Sequence, residues 1–206
     1  PDFESPEALD IPQIDRCLLD LMQHHRSDLP IFDFSTHMPS VKRRHIELPE
    51  HSVVIVEGLH ALNPIITRDL PEDSLLRVYL SVKQGIQDGE REVLSPNDMR
   101  FLRRLVRDYQ FRDCPAQKTL DFWPDVMAGE YKYIKPFRPI ADLNINTFHS
   151  YEISVLREPA LALLNQLGEK QEENDWLSSI KEVLEKVHPL SRNLIPEDSI
   201  LKEFIG

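Results

Sequence analysis

SVVIVEGLHAL, residues Ser52 to Leu62, is the stretch on which the reading of the fold turns. Val53, Val54, Ile55 and Val56 follow one another with no polar residue between them. A strand with one face in water alternates apolar and polar side chains. An unbroken β-branched run suits a strand covered on both faces, as in a parallel sheet. The run ends at Glu57-Gly58, which places an acid at the strand's C-terminal end with a flexible residue behind it.

Outward from this run, Leu75 to Val82 (LLRVYLSV) predicts a second such strand and Ala141 to Asn146 (ADLNIN) a short third. Leu29 to Phe34 reads as a strand or an extended entry to a loop. Helical patterns separate these segments. Asp10 is an N-cap with Pro12 in the first turn and Gln13 placed for a capping box. Ile14, Leu18, Leu21 and Met22 then line one face of a helix to about His25. Ser95-Pro96 opens a second helix, and a third begins near Thr119 with a break expected at Pro124. Ser150 to Leu167 is helical with a bend expected at Pro159. The last stripe, Trp176 to Val187, stops at Pro189. Lys83 to Leu94, with Gly85 and Gly89, reads as a loop, and Gly168 to Asn174 as a linker. Strands alternating with helices predict an α/β sheet with crossover connections. The expected domains are an α/β unit over 1–168 and a C-terminal helical extension over 169–206.

Composition narrows the function classes. The chain has 206 residues, a net charge of −11 and 29% charged residues, ordinary for a soluble globular protein. No apolar run approaches the roughly 18 residues of a membrane span, and no signal peptide is visible. Cys17 and Cys114 lack metal-ligand spacing and are too few for a disulfide scaffold, so a reducing cytoplasm is expected. Net negative charge argues against general nucleic-acid binding.

Against that acidic background, RFLRRLVRDYQFR (Arg100 to Arg112) carries five arginines in thirteen residues. At about 100° per residue, Arg100, Arg103, Arg104 and Arg107 fall within an arc of roughly 100°. Leu102, Leu105, Val106 and Tyr109 occupy the opposite side. Only Asp108 is placed to relieve Arg104. A solvated helix face mixes both signs, whereas a nearly pure arginine face suits phosphate, which the planar guanidinium fork grips through two parallel bonds.

FLRRLVRDYQFR, VVIVEGLHAL, IFDFSTH and FESPEALD, in this order and spacing, resemble the uridine kinase/phosphoribulokinase family of P-loop kinases over roughly residues 1 to 165. The resemblance implies a P-loop kinase-like α/β fold, a parallel sheet flanked by helices, with ATP and Mg²⁺ as cofactors. It implies transfer of the γ-phosphoryl of ATP to the 5′-hydroxyl of a nucleoside such as uridine or cytidine. By the same resemblance Glu4 holds the ribose hydroxyls, and Phe32, Phe34 and His37 line the base. Arg104 reaches the acceptor sugar, while Arg103, Arg107 and Arg112 bind ATP phosphates, Arg107 and Arg112 acting in catalysis. Glu57 becomes the acid near Mg²⁺, and Asp142 is structural. The family's G-x-x-x-x-G-K-[ST] loop is missing, since no glycine here is followed by lysine. That loop and the general base are expected upstream of Pro1, and the 206-residue chain by itself is expected to be inactive. A nucleotide-binding pseudokinase and a kinase for another sugar are the alternatives, and a homo-oligomer is left open.

Overall fold

The computed structural model describes residues 5–33, 38–167 and 175–206. It divides into two compact units, one of residues 1–79 with 128–143, the other of residues 80–127 with 144–206. Glu4, Phe34 and His37 lie outside the described residues, as does the linker expected at 168–174.

The first unit opens with helix α1 (Ile11–His24). Asp10 caps it as expected, accepting from the Gln13 amide at 3.1 Å. The Gln13 side chain does not close the capping box and donates instead to Cys17 Sγ at 3.2 Å. Strands β1 (Arg26–Asp33) and β2 (Met38–Glu47) follow as an antiparallel pair whose register shifts between Pro30 and Phe32. β1 contains most of the segment read as extended, whereas β2 was not foreseen. Its KRRH run is polar on both faces and has no apolar alternation to announce a strand.

The decisive stretch behaves differently from its sequence. Residues 52–57 join no strand ladder among the described residues. Val53 is 85% and Ile55 88% exposed. A β-branched run prefers extended backbone, but only a hydrogen-bonded neighbour makes a strand of it. Further along, Pro64–Thr67 forms the short helix α2.

Strand β3 (Val78–Ser81) realises the centre of the second expected strand. A hairpin occupies the segment read as a loop, made of β4 (Ile86–Asp88) and β5 (Arg91–Leu94). Its turn contains Asp88-Gly89, and Gly89 adopts a φ of 61°, which L side chains rarely take. These strands are too short for an alternation pattern, but the two-residue loop is Gly89-Glu90, and glycine at its first position was a legible signal.

Helix α3 (Pro96–Phe111) is the arginine helix. Ser95 and Asp98 cap it reciprocally, Ser95 N donating to Asp98 Oδ2 at 2.7 Å and Asp98 N to Ser95 Oγ at 3.2 Å. Helix α4 (Ala116–Tyr133) starts earlier than expected and runs through Pro124 as one element. One missing i→i−4 bond is a local loss, which burial of Ala116, Thr119 and Trp123 outweighs. The third expected strand is present as β6 (Leu143–Asn146). It pairs with β3, and Leu143 N donates to Arg77 O while Thr147 N donates to Ser81 O. The partners ascend together, so the pair is parallel. Asp142 anchors its start, accepting from the Arg77 amide at 2.7 Å.

Helices α5 (Glu152–Gln166), α6 (Asp175–Lys186) and α7 (Lys202–Ile205) complete the second unit. Pro159 lies inside α5 without splitting it. The core of this unit gathers Phe101, Leu102, Leu105 and Val106 of α3 with Leu156 of α5, Leu184 of α6 and Phe204 of α7. Phe101 packs between Trp123 at 5.4 Å and Trp176 at 4.8 Å between ring centroids. The Trp176 indole also donates to Asp98 Oδ1 at 2.7 Å, so α6 is tied to the cap of the arginine helix. Residues 175–206 thus share one core with α3.

Candidate functional site

The capping box and the apolar seat of α3 fix where its arginines begin, yet the helix is buried over more of its girth than the wheel implied. Met99 and Phe101 are fully buried, whereas Tyr109, assigned to the apolar side, is 48% exposed. Arg103 is correspondingly withdrawn from the polar arc. Only 6% exposed, it donates to Glu152, to Thr147 O at 2.6 Å and to Thr147 Oγ1 at 3.3 Å. Its guanidinium lies over the Phe204 ring at 5.3 Å. These partners hold Arg103 against the core, away from the rest of the arginine arc. The paired Glu152 is fully buried, with Oε1 lacking a hydrogen-bond partner. Burial pushes its carboxyl above the ordinary carboxylate value against the pull of Arg103.

Three arginines do converge. Arg107 Nε and Nη2 lie 3.0 and 2.9 Å from Asp108 Oδ1. Arg112 Nη1 is 3.4 Å from the same oxygen, and Arg104 Nε is 3.2 Å from Oδ2 without hydrogen-bond alignment. The Asp108 carboxylate is 5% exposed, while Arg104, Arg107 and Arg112 are 28%, 19% and 56% exposed. Three guanidinium charges against one carboxylate leave two positive charges at the helix's C-terminal end. Glu203, exposed and 3.9 Å from Arg107 Nη1, offsets little of this across solvent. The sequence showed Asp108 beside Arg104; it did not show that Arg107 and Arg112 share it. The i,i+4 spacing of Asp108 and Arg112 was the available signal.

The helix ends in a sharp reversal that holds Arg112 near the cluster. Asp108 O accepts from both Arg112 N and Cys114 N at 3.1 Å, and Asp113 takes a φ of 48°. Aspartate tolerates this left-handed backbone better than most residues.

Two further expected residues lie in the first unit. Glu57 is exposed, just before Gly58 at φ 150°. Phe32 is 48% exposed on β1 opposite Pro39. The described residues contain no group of three or more His, Cys, Asp or Glu side chains able to hold a metal. One carboxylate such as Glu57 fits magnesium's habit of keeping waters and phosphate oxygens as most of its ligands. The arginine cluster, with two uncompensated charges and a half-exposed Arg112, fits a chain of phosphates.

The profile of the Phosphoribulokinase / Uridine kinase family matches residues 1–154, and the chain belongs to that family. Its fold is accordingly α/β, with a parallel sheet flanked by helices. A uridine kinase of Lactobacillus johnsonii is 28% identical over 142 residues, covering 68% of this chain and 59% of the relative. A uridine kinase of Borrelia turicatae is 29% identical over 144 residues, covering 69% and 61%. That of Borreliella burgdorferi matches with the same identity and coverage as the B. turicatae protein. The chain thus spans about three fifths of the length of the curated relatives it matches. No helix among the described residues is long and apolar enough to cross a membrane.

Proposed function

We propose that these residues form the acceptor side and arginine lid of an ATP-dependent nucleoside kinase, passing the γ-phosphoryl of ATP to the 5′-hydroxyl of uridine or cytidine. The observation that carries the reading is the convergence of Arg104, Arg107 and Arg112 on Asp108, which leaves two net positive charges in one place. Family membership and the relatives named uridine kinase support it.

In this reading Arg107 and Arg112 hold the ATP phosphates and neutralise charge that spreads over the transferred group in a loose transition state. Fixed guanidiniums need no reorganisation as that charge develops, which is the main source of electrostatic catalysis. Arg104 faces the acceptor sugar. Glu4, Phe32, Phe34 and His37 hold the nucleoside, the carboxylate accepting from the vicinal diol and the rings stacking on the base. Glu57 is the carboxylate that would help hold a magnesium ion, which would supply charge neutralisation for the phosphates.

ADP release by the complete gene product, assayed with uridine, cytidine and non-nucleoside sugars, tests the reading. Uridine or cytidine should stimulate release. Arg107→Ala should lower turnover about 10- to 150-fold, the equivalent of one charge-assisted bond of roughly 1.5–3 kcal/mol. No nucleoside-dependent release, or full turnover in the variant, would refute the assignment.

A further inference from the structure

We propose that Asp108 is a positioning residue that reserves the arginine cluster for oligophosphates and excludes a single phosphate. The inference rests on the reading of the cluster as a phosphate site and adds what sets its selectivity.

Asp108 occupies one edge of the Arg107 guanidinium and stands against a single nitrogen of Arg112 and of Arg104. It takes Nε and Nη2 of Arg107, Nη1 of Arg112, and stands 3.2 Å from Nε of Arg104. A carboxylate tethered beside these groups acts at an effective concentration that dilute anions cannot match. A lone phosphate would have to compete with it for the same N–H groups while lying against its negative charge. Several linked phosphates have another option. They can bridge the outer N–H groups of Arg107 and Arg112 together and match the two residual positive charges, leaving Asp108 in place.

Removing the Asp108 charge should erase that distinction. The Arg104 and Arg107 side chains, 28% and 19% exposed, would then keep only the solvent-exposed Glu203, 3.9 Å from Arg107 Nη1, as an opposing charge. Partly buried, uncompensated cations are relieved by any small anion that reaches them. In the Asp108→Asn variant the side-chain amide fills nearly the same volume as the carboxylate it replaces. The bonds from Arg112 N and Cys114 N go to the backbone oxygen of Asp108 and do not depend on its side chain.

The test is calorimetric titration of the 206-residue chain and of Asp108→Asn with inorganic phosphate and with tripolyphosphate at matched ionic strength. The unaltered chain should bind tripolyphosphate at least about 10-fold more tightly than phosphate. Asp108→Asn should shrink that ratio by about 5-fold or more, chiefly through tighter phosphate binding. An unchanged ratio in the variant, or no preference in the unaltered chain, overturns the proposal. Should Asp108→Asn fail to fold, ¹⁵N spectra of the arginine side chains of the unaltered chain decide the matter. Tripolyphosphate should move the Arg107 and Arg112 signals together at concentrations where phosphate moves neither; equal responses to both anions overturn it. Loss of nucleoside-dependent ADP release alongside retained tripolyphosphate selectivity would remove the kinase reading and uphold this one.

Discussion

Arg103 and Glu152 form an ion pair in which both partners are enclosed, their side chains 8% and 0% exposed. It joins the middle of α3 to the first turn of α5, and Thr147 at the end of β6 shares the same guanidinium. Arg103 Nε and Glu152 Oε1 are left without hydrogen-bond partners. A pair desolvated this far and incompletely satisfied adds little net stability, but either half alone is a serious liability.

The first prediction follows from that asymmetry. Arg103→Met should destabilise the fold by about 3–5 kcal/mol, because Glu152 would remain buried without its cation. The double variant Arg103→Met, Glu152→Leu should recover a large share of the loss. Urea denaturation of the two single variants and the double measures the coupling. Additive losses would show that the two side chains do not act as a pair.

Glu152 also gives stability a pH dependence of definite sign. Its carboxyl is raised by burial, with Arg103 and His149 pulling the other way. Between the ordinary carboxylate value and the raised one, the folded chain keeps a proton that the unfolded chain has released. The group's favourable contribution is therefore complete below the ordinary value and is lost as pH rises through the raised one. Denaturation midpoints measured from about pH 4 to about pH 8 should fall more steeply with pH for the unaltered chain than for Glu152→Gln. Parallel curves would dismiss the effect.

Legibility in the sequence followed the range of the interactions involved. Asp10 and Ser95 act on amides a few residues away, and both helix starts were readable from them, although the reciprocal bond from Asp98 was not. The prolines misled because their effect depends on packing: Pro124 and Pro159 lie within helices whose neighbouring residues are buried. Val53 to Val56 misled for a related reason, since no residue property reveals whether a pairing strand is present. At the site, spacing put Arg100, Arg103, Arg104 and Arg107 on one helix face, and the convergence of Arg112 with Arg104 and Arg107 on Asp108 was not read from it. Arg103 was not separable from the others, because its partner Glu152 lies 49 positions away.

Glu57 offers a test of function with little structural side effect. It is exposed, so Glu57→Gln should change stability by no more than about 0.5 kcal/mol. If it orients magnesium, the complete gene product carrying this change should need several-fold more Mg²⁺ for half-maximal ADP release. An unaltered Mg²⁺ requirement would remove Glu57 from the metal's surroundings.

The hairpin before α3 provides a seat for the site, and two of its glycines should respond unequally to alanine. Gly89 has open space around it, so Gly89→Ala meets only the strain of its left-handed backbone, about 1–2 kcal/mol. Gly85 has a different constraint: a Cβ there would stand 1.9 Å from Leu94 O and 3.0 Å from Leu94 C. Backbone cannot swing aside as a side chain does, so β5 would have to move. Leu94 is 1% exposed and immediately precedes Ser95, the cap of the arginine helix. Gly85→Ala should therefore cost about 3 kcal/mol or more and loosen the start of α3, whereas Gly89→Ala should leave that helix intact. Thermal denaturation ranks the two variants, and amide hydrogen exchange over Met99 to Val106 reports the helix. Faster exchange in Gly85→Ala alone is the expected result; equal protection in both variants would mean that the hairpin does not seat the arginine helix.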